Sequence, residues 1–398
     1  MRKQQEYNFD EFIDRRGSGS RKWDGTAAVF GNAAALPLWI ADSDFASPPA
    51  VTKTLLKRAK HPVYGYNTQE ESLYQSFIDW VKRRHSWEIK REWILLTPGV
   101  APAISLSILA LSEPGEGVII QTPVYPPFFD AIRDNERIIV ENPLALTDGR
   151  YEIDFADLEQ KLADPQNKLL LLCSPHNPSG RVWTRDELSR VRELCRQYGV
   201  EVLSDEIHSD LVYAGHRHTV FATLAENAAQ AGVAFMAASK TFNVAGLNLS
   251  FTVVPDSQRR AKIHAWINRV QIGRNNLFGV LATEAAYRTG DAWLEEQLRY
   301  LAGNADILVD FVQNRLPGVR VHKPEATYLA WLDFREHFPN ARKLRYFLTH
   351  QAEVGLNPGE TFGAAGEGFA RLNFATPRGN LLEALMRIEK ALKQNRAL

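Results

Sequence analysis

The residues of this sequence that could do chemistry stand at the ends of apolar runs. Lys240 closes the run Val233-Ala-Phe-Met-Ala-Ala-Ser-Lys and is followed by Thr-Phe-Asn-Val-Ala-Gly-Leu247, so a strand is expected to deliver it as its last side chain into a crevice. A lysine in partly apolar surroundings has a lowered pKa, and its neutral amine can form a Schiff base and shuttle protons. An isolated Ser-Lys-Thr is more often a surface turn, so the weight falls on what lies upstream. Asp205 follows the apolar run Val200–Ser204 directly and should sit deep at that strand's C-terminal end. A buried carboxylate stays ionised only beside a cation, here either a structural Arg or a protonated pyridine nitrogen. Asn177, between prolines in Ser174-Pro-His-Asn-Pro-Ser-Gly-Arg181, can bond a ring hydroxyl or cap its turn. Tyr125 is held stiff by the prolines around it, to stack on a planar ligand or to pack in the core. Arg371, between apolar residues on an expected strand, needs a carboxylate from a substrate or from a structural Asp or Glu. Where the run Trp93–Leu96 enters Thr97-Pro-Gly-Val-Ala-Pro102, free N–H groups at a helix start make an anion site. The glycine pattern of an ATP loop or a dinucleotide fingerprint is missing there. His208, His216 and His218 fit no standard metal spacing and read as exposed loop histidines.

The elements that must position these residues alternate along the chain. Strands are expected near residues 95, 119, 171, 202 and 236, separated by helices, which is the pattern of an α/β domain with a mainly parallel sheet. Their C-terminal ends carry Gly99, Tyr125, Asn177, Asp205 and Lys240, and in open α/β sheets that edge binds ligands. Helices are expected from Pro49 to about Lys60, over Glu71–His85, over Asp154–Leu162, from a capping box at Thr184–Glu187 to about Gln197, and over Trp293–Leu316. Between the first two lies a loop with Tyr64 and Tyr66. Residues 1–45 read as a polar N-terminal arm with part of a small domain, 46–288 as the large domain, and 289–398 as a smaller α+β domain. Arms of this kind often lie across a partner subunit.

Composition narrows the function classes. The chain has 398 residues, 45% hydrophobic and 24% charged, enough for a large core in more than one domain. Lys plus Arg (47) equal Asp plus Glu (47), so no excess charge points to nucleic acid or an anionic membrane, and a small-molecule partner is expected. Cys173 and Cys195 are too few for a disulfide framework. Met1–Tyr7 leads into no apolar segment and no run nears ~18 apolar residues, so a cytoplasmic location is expected.

Taken together, Trp39-Ile-Ala-Asp-Ser-Asp-Phe45, Tyr64-Gly-Tyr66, Thr122-Pro-Val-Tyr-Pro-Pro-Phe-Phe129, Pro175-His-Asn-Pro178, Ser204-Asp-Glu-Ile-His-Ser-Asp210 and Ser239-Lys-Thr-Phe-Asn243 carry a family likeness. The sequence resembles the fold-type I pyridoxal-phosphate enzymes of the class I/II aminotransferase superfamily over essentially its whole length. Within them it is similar to the MalY/PatB-like cystathionine β-lyase, or C-S lyase, branch. The resemblance implies pyridoxal 5'-phosphate as cofactor, a homodimer with shared active sites, and no metal. It matches Lys240 to the lysine that holds the cofactor and then acts as general base, and Asp205 to the partner of the pyridine nitrogen. Asn177 is matched to the amide on the ring hydroxyl, and His208 to a position near that hydroxyl where the superfamily often has Tyr. Tyr125 is matched to the stacking aromatic, and Gly99, Val100, Ala101 and Ser239 to the phosphate contacts. Tyr66 is matched to a phosphate ligand given by the other subunit, and Arg371 with Tyr64 to substrate binding, Arg371 at the α-carboxylate. The activity implied is β-elimination of an L-cysteine S-conjugate such as L-cystathionine; an aminotransferase and a regulatory protein retaining the fold are the alternatives. Two departures, Ser43 where the family often has Met and Asn275 where a Pro is common, bear on substrate choice.

Overall fold

The structure is a computed structural model that describes residues 7–68, 70–338 and 340–396. The polar opening of the arm at residues 1–6 lies outside the described residues.

The organising strand is Asn167–Cys173, whose Leu169, Leu170, Leu171 and Leu172 are all 0% exposed. Successive side chains of a strand point to opposite faces. Leu169, Leu171 and Cys173 accordingly pack with the helices Val100–Leu111 and Ser257–Arg269, while Leu170 and Leu172 pack with Phe155–Ala163 and Arg185–Tyr198. A continuous apolar run is what a strand covered on both faces requires.

Around it lies a seven-stranded sheet in the order Ile94–Thr97, Ser250–Val253, Val233–Met236, Glu201–Asp205, Asn167–Cys173, Gly117–Ile120, Ile138–Glu141. Ser250–Val253 runs antiparallel to both neighbours, and the remaining pairs are parallel. The strands Ile138–Glu141 and Ser250–Val253 were not among those expected from the sequence; the first is half-exposed, so its apolar run is short and mixed. In the register of the centre, Cys173, Asp205 and Phe235 stand side by side. The C-terminal edge of the sheet is therefore level across the strands that lead to Asn177, Asp205 and Lys240.

Local signals place the helices. Pro49 starts Pro49–Ala59 at its first position. Thr184 and Glu187 form the capping box of Arg185–Tyr198, which Gly199 ends at φ 69°, a conformation that favours glycine.

The C-terminal part holds a four-stranded antiparallel sheet in the order Arg320–Val321, Leu329–Asp333, Phe369–Asn373, Asn357–Pro358, with the long helix Asp291–Arg315 and the helix Arg378–Arg396. Leu36–Pro37 pairs in parallel with Val354–Gly355, so the start of the chain joins this part. The described arm packs on its own chain: Phe9 is buried against Phe45, Trp293 and Tyr300. No helix among the described residues is long and apolar enough to cross a membrane.

Candidate active site

The strand that leads to Lys240 stops at Met236, and Lys240 lies on the one-turn helix Ala238–Thr241. The expectation that Lys240 is the strand's own last side chain is corrected by one helical turn, because small Ala237 and Ala238 continue the apolar pattern without continuing the strand. The turn is pinned from behind by Thr241, whose hydroxyl donates to buried Asp210 at 2.8 Å.

Lys240 opens into a cavity of about 230 Å³. Its wall includes Gly99, Val100, Ala101, Tyr125, Asn177, Asp205, His208 and Ser239, and reaches from Ala41 to Leu249, so residues far apart in the chain converge on one space. Arg371 is buried behind Asn177 and donates to its Oδ1 from Nη1 at 3.0 Å. Tyr64 and Tyr66 are not on this wall; they are 58% and 95% exposed on the loop after Pro49–Ala59, and the Arg274 guanidinium lies over the Tyr66 ring at 5.3 Å. Of the two departures, Ser43 and Asn275 are both buried and neither lines the cavity.

The helix Val100–Leu111 points its N-terminus into the space with no side-chain cap. Its first N–H groups are free for an anion, and the partial positive charge of the helix end adds to them. Gly99 precedes it at φ 124°, a backbone conformation open to glycine and strained for other residues.

Burial sets the charges. Among the described residues the Asp205 carboxylate accepts one hydrogen bond, from the Ile207 N–H at 3.1 Å, and forms no ion pair, which decides against the structural Arg. Burial raises its pKa to about 7, against the lowering effect of the Ile207 bond and of Lys240. Burial likewise lowers the Lys240 amine to about 8. Its Nζ donates to the Ala41 carbonyl at 2.7 Å. His208, brought to about 3 by burial and then by Lys240 and Arg371, is a neutral imidazole whose Nδ1 has no hydrogen-bond partner. The expectation of an exposed loop histidine is therefore wrong for His208, and for His218, which is buried against Glu206 at 2.8 Å. Glu206 holds His218 in the interior, and His208 is buried on the cavity wall beyond the end of Glu201–Asp205, neither of which spacing reveals.

Arg371 receives no carboxylate from the described residues. Besides Asn177, its Nη2 donates to the Trp39 carbonyl at 2.9 Å and to Asn357 Oδ1 at 2.6 Å, and its Nε is left without a partner. Burial lowers its pKa to about 10. A guanidinium set among neutral oxygens is a receptor for an incoming carboxylate.

Sequence reasoning missed the Ala41 carbonyl and Tyr328, whose hydroxyl donates to it at 3.0 Å. A backbone acceptor has no residue-type signature, so no pattern could have found it. Tyr328 sat in an expected strand, but nothing in its neighbours separates it from a core tyrosine.

Taken together, the cavity offers an amine, a carboxylate without an ion pair among the described residues, an anion-binding helix end and an aromatic face, with a buried guanidinium behind Asn177. It suits an anionic aromatic carbonyl compound with a basic ring nitrogen, working on a substrate that carries a carboxylate. The chain matches the aminotransferase class I and II family over residues 36–388. It is 44% identical over 385 residues to cystathionine β-lyase PatB of Bacillus subtilis, covering 97% of this chain and 100% of that one. Cystalysin of Treponema denticola, solved with pyridoxal 5'-phosphate, superposes with a TM-score of 0.94 at 38% identity, covering 98% and 99% of the two chains. The pyridoxal-phosphate-bound C-S lyase of Staphylococcus hominis does so at 0.90 and 31%, covering 98% and 100%. The chain thus belongs to the class I and II aminotransferase family, in the branch that holds PatB and the C-S lyases.

Proposed function

We propose that this protein is a pyridoxal-phosphate-dependent carbon-sulfur lyase that splits L-cysteine S-conjugates such as L-cystathionine into a thiol, pyruvate and ammonia. The observation that carries the choice of a lyase over an aminotransferase is the 44% identity over the full length of a cystathionine β-lyase. The cavity fits the cofactor on its own terms: among the described residues Asp205 is a buried carboxylate with no ion pair, and His208 Nδ1 has no hydrogen-bond partner. Bound there, pyridoxal phosphate supplies an electron sink that makes an amino acid's α-proton acidic and its β-substituent able to leave.

The protein's own groups do the rest. Val100 and Ala101 N–H groups, with Ser239, would hold the phosphate; Tyr125 would lie against the ring, Asn177 and His208 would serve the ring hydroxyl, and Asp205 would keep the ring nitrogen protonated. Lys240 would anchor the cofactor and then serve as the base for the substrate's α-proton. Arg371 grips the α-carboxylate, with Asn177 already bonded to the same guanidinium. The large unit of residues 46–288 carries the cofactor, and the arm with residues 289–398 brings Arg371 to it.

Arg371→Met should raise KM for cystathionine by roughly 10²–10⁴-fold with a smaller effect on kcat, because about two charge-assisted hydrogen bonds of ~1.5–3 kcal/mol each are lost. Steady-state kinetics decide it, and an unchanged KM would remove Arg371 from the substrate site.

Exposed Tyr66 suits a shared site: in a homodimer it would reach the phosphate in the cavity of the second copy, with Tyr64 beside the substrate. Tyr66→Phe should then weaken cofactor retention about 10–10²-fold, the value of one hydrogen bond to a charged group. Equilibrium dialysis against pyridoxal phosphate measures this, and equal retention would place Tyr66 elsewhere.

The function is tested by incubating the purified protein with L-cystathionine. Pyruvate and thiol in equal amounts over many turnovers are expected. Transfer of the amino group to a keto acid without thiol would overturn the lyase reading in favour of an aminotransferase.

A further inference from the structure

A chain of ion pairs runs from the N-terminal arm to the carbonyl that receives Lys240. Residues 40–45 form a seam between the two sheets. From one side, Asn373 Nδ2 donates to the carbonyls of Ile40 and Asp42, both at 2.6 Å. From the other, Asn243 Nδ2 donates to those of Ser43 and Phe45 at 3.0 and 2.8 Å. Held between them, Ala41 presents its carbonyl to Lys240 Nζ at 2.7 Å.

The next residue of the seam is Asp42, and the arm supplies its countercharge. Arg15 grips Asp42 through both terminal nitrogens, at 2.9 and 2.7 Å, and reaches Asp44 at 2.8 Å. Lys22, fully buried, lies 2.8 Å from Asp44 and 3.7 Å from Asp42. Trp23 Nε1 donates to Asp44 at 3.0 Å. An exposed ion pair has little effect on anything, but Arg15 and Asp42 are only 21% and 19% exposed. Fields between groups so far out of water persist.

We propose that Arg15 is a positioning residue for the reaction: by pairing the Asp42 carboxylate beside Ala41, the arm sets how readily the Lys240 nitrogen gains and loses its proton. The proposal rests on the reading of Lys240 as the working amine. The charged and titratable groups facing Lys240 are Asp42 from the seam, Asp205 and His208 from the sheet edge, and Arg371 from its strand, with Tyr328 sharing the Ala41 carbonyl. Asp42 favours the protonated amine, and Arg15 offsets that field. The mechanism fixes a sign for each substitution, which a merely structural role of the arm would not.

The test uses the holoenzyme. Its absorbance, titrated with pH in the absence of substrate, reports the protonation of the nitrogen that Lys240 contributes, and the acid limb of kcat/KM reports it again in turnover. Asp42→Asn is expected to move the midpoint down by about half a unit to one unit, and Arg15→Met to move it up by about as much. Arg15→Lys, which keeps the charge, should restore the wild-type midpoint, and the double variant Arg15→Met with Asp42→Asn should fall back near it. Unmoved midpoints, or shifts of the same sign in both single variants, would overturn the proposal. If Lys240→Ala kept the wild-type titration, the assignment of Lys240 itself would fall, a result distinct from unmoved midpoints in the arm variants.

Discussion

Replacing Lys240 with alanine is expected to lower the turnover of cystathionine by about 10²–10⁴-fold or more, the range for loss of a positioned acid or base. The structure supplies the reason in the state of the amine. Burial lowers its pKa from 10.5 to about 8. At pH 7 roughly one amine in ten is then neutral, against roughly one in three thousand for an ordinary lysine. The neutral fraction grows as pH rises through the folded value. Lys240→Arg separates chemistry from charge: it keeps a cation in the cavity but cannot deprotonate, so it should be as inactive as the alanine variant. Activity near wild type in either variant would remove Lys240 from the mechanism.

Asp205→Asn should lose about 10²–10³-fold in kcat, the scale for removal of one preorganised electrostatic contact, while making the cofactor-free protein more stable. The two effects have one cause. In the cofactor-free protein Asp205 is a buried carboxylate with no ion pair among the described residues, and burial raises its pKa from 3.8 to about 7 against the opposing field of Lys240. The sign follows from linkage. Between about pH 4 and 7 the folded protein holds a proton that the unfolded chain has released, so this residue's contribution to stability falls as pH rises across that window. Above it, the deficit is on the order of 4 kcal/mol, at ~1.4 kcal/mol per unit. Asparagine has no charge to bury. Thermal melts of the cofactor-free proteins at pH 5 and pH 8 should therefore show the variant ahead by more at pH 8. A constant difference between the two pH values would mean that Asp205 is solvated or paired in solution. Saturation with pyridoxal phosphate should erase the advantage, since the ring nitrogen gives the wild-type carboxylate its cation.

Much of this molecule is legible before any coordinates. The leucines of Asn167–Cys173 announce a strand covered on both faces, because a run without polar residues can satisfy no solvent-facing side. The capping box at Thr184 and Glu187 states its helix start, since both bonds are made within four residues. Asp205 and Asn177 could be placed at the cavity because one ends such a strand and the other lies in the loop that follows one, and the level edge of a parallel sheet does the convergence. These are local patterns, and local sterics and burial decide them.

What the sequence could not state are contacts made across the chain between groups without a pattern of their own. The Ala41 carbonyl meets Lys240 across 199 positions, and Arg15 meets Asp42 across 27. Whether Arg371 faced a structural acid or open space was likewise undecided until its neighbours proved to be Asn177, Asn357 and a backbone carbonyl. The type and spacing of residues determined which groups could do the chemistry. Their protonation and their partners were decided by tertiary packing alone, because the field at a buried group depends on every charge and carbonyl that the fold brings near it and on the water it excludes.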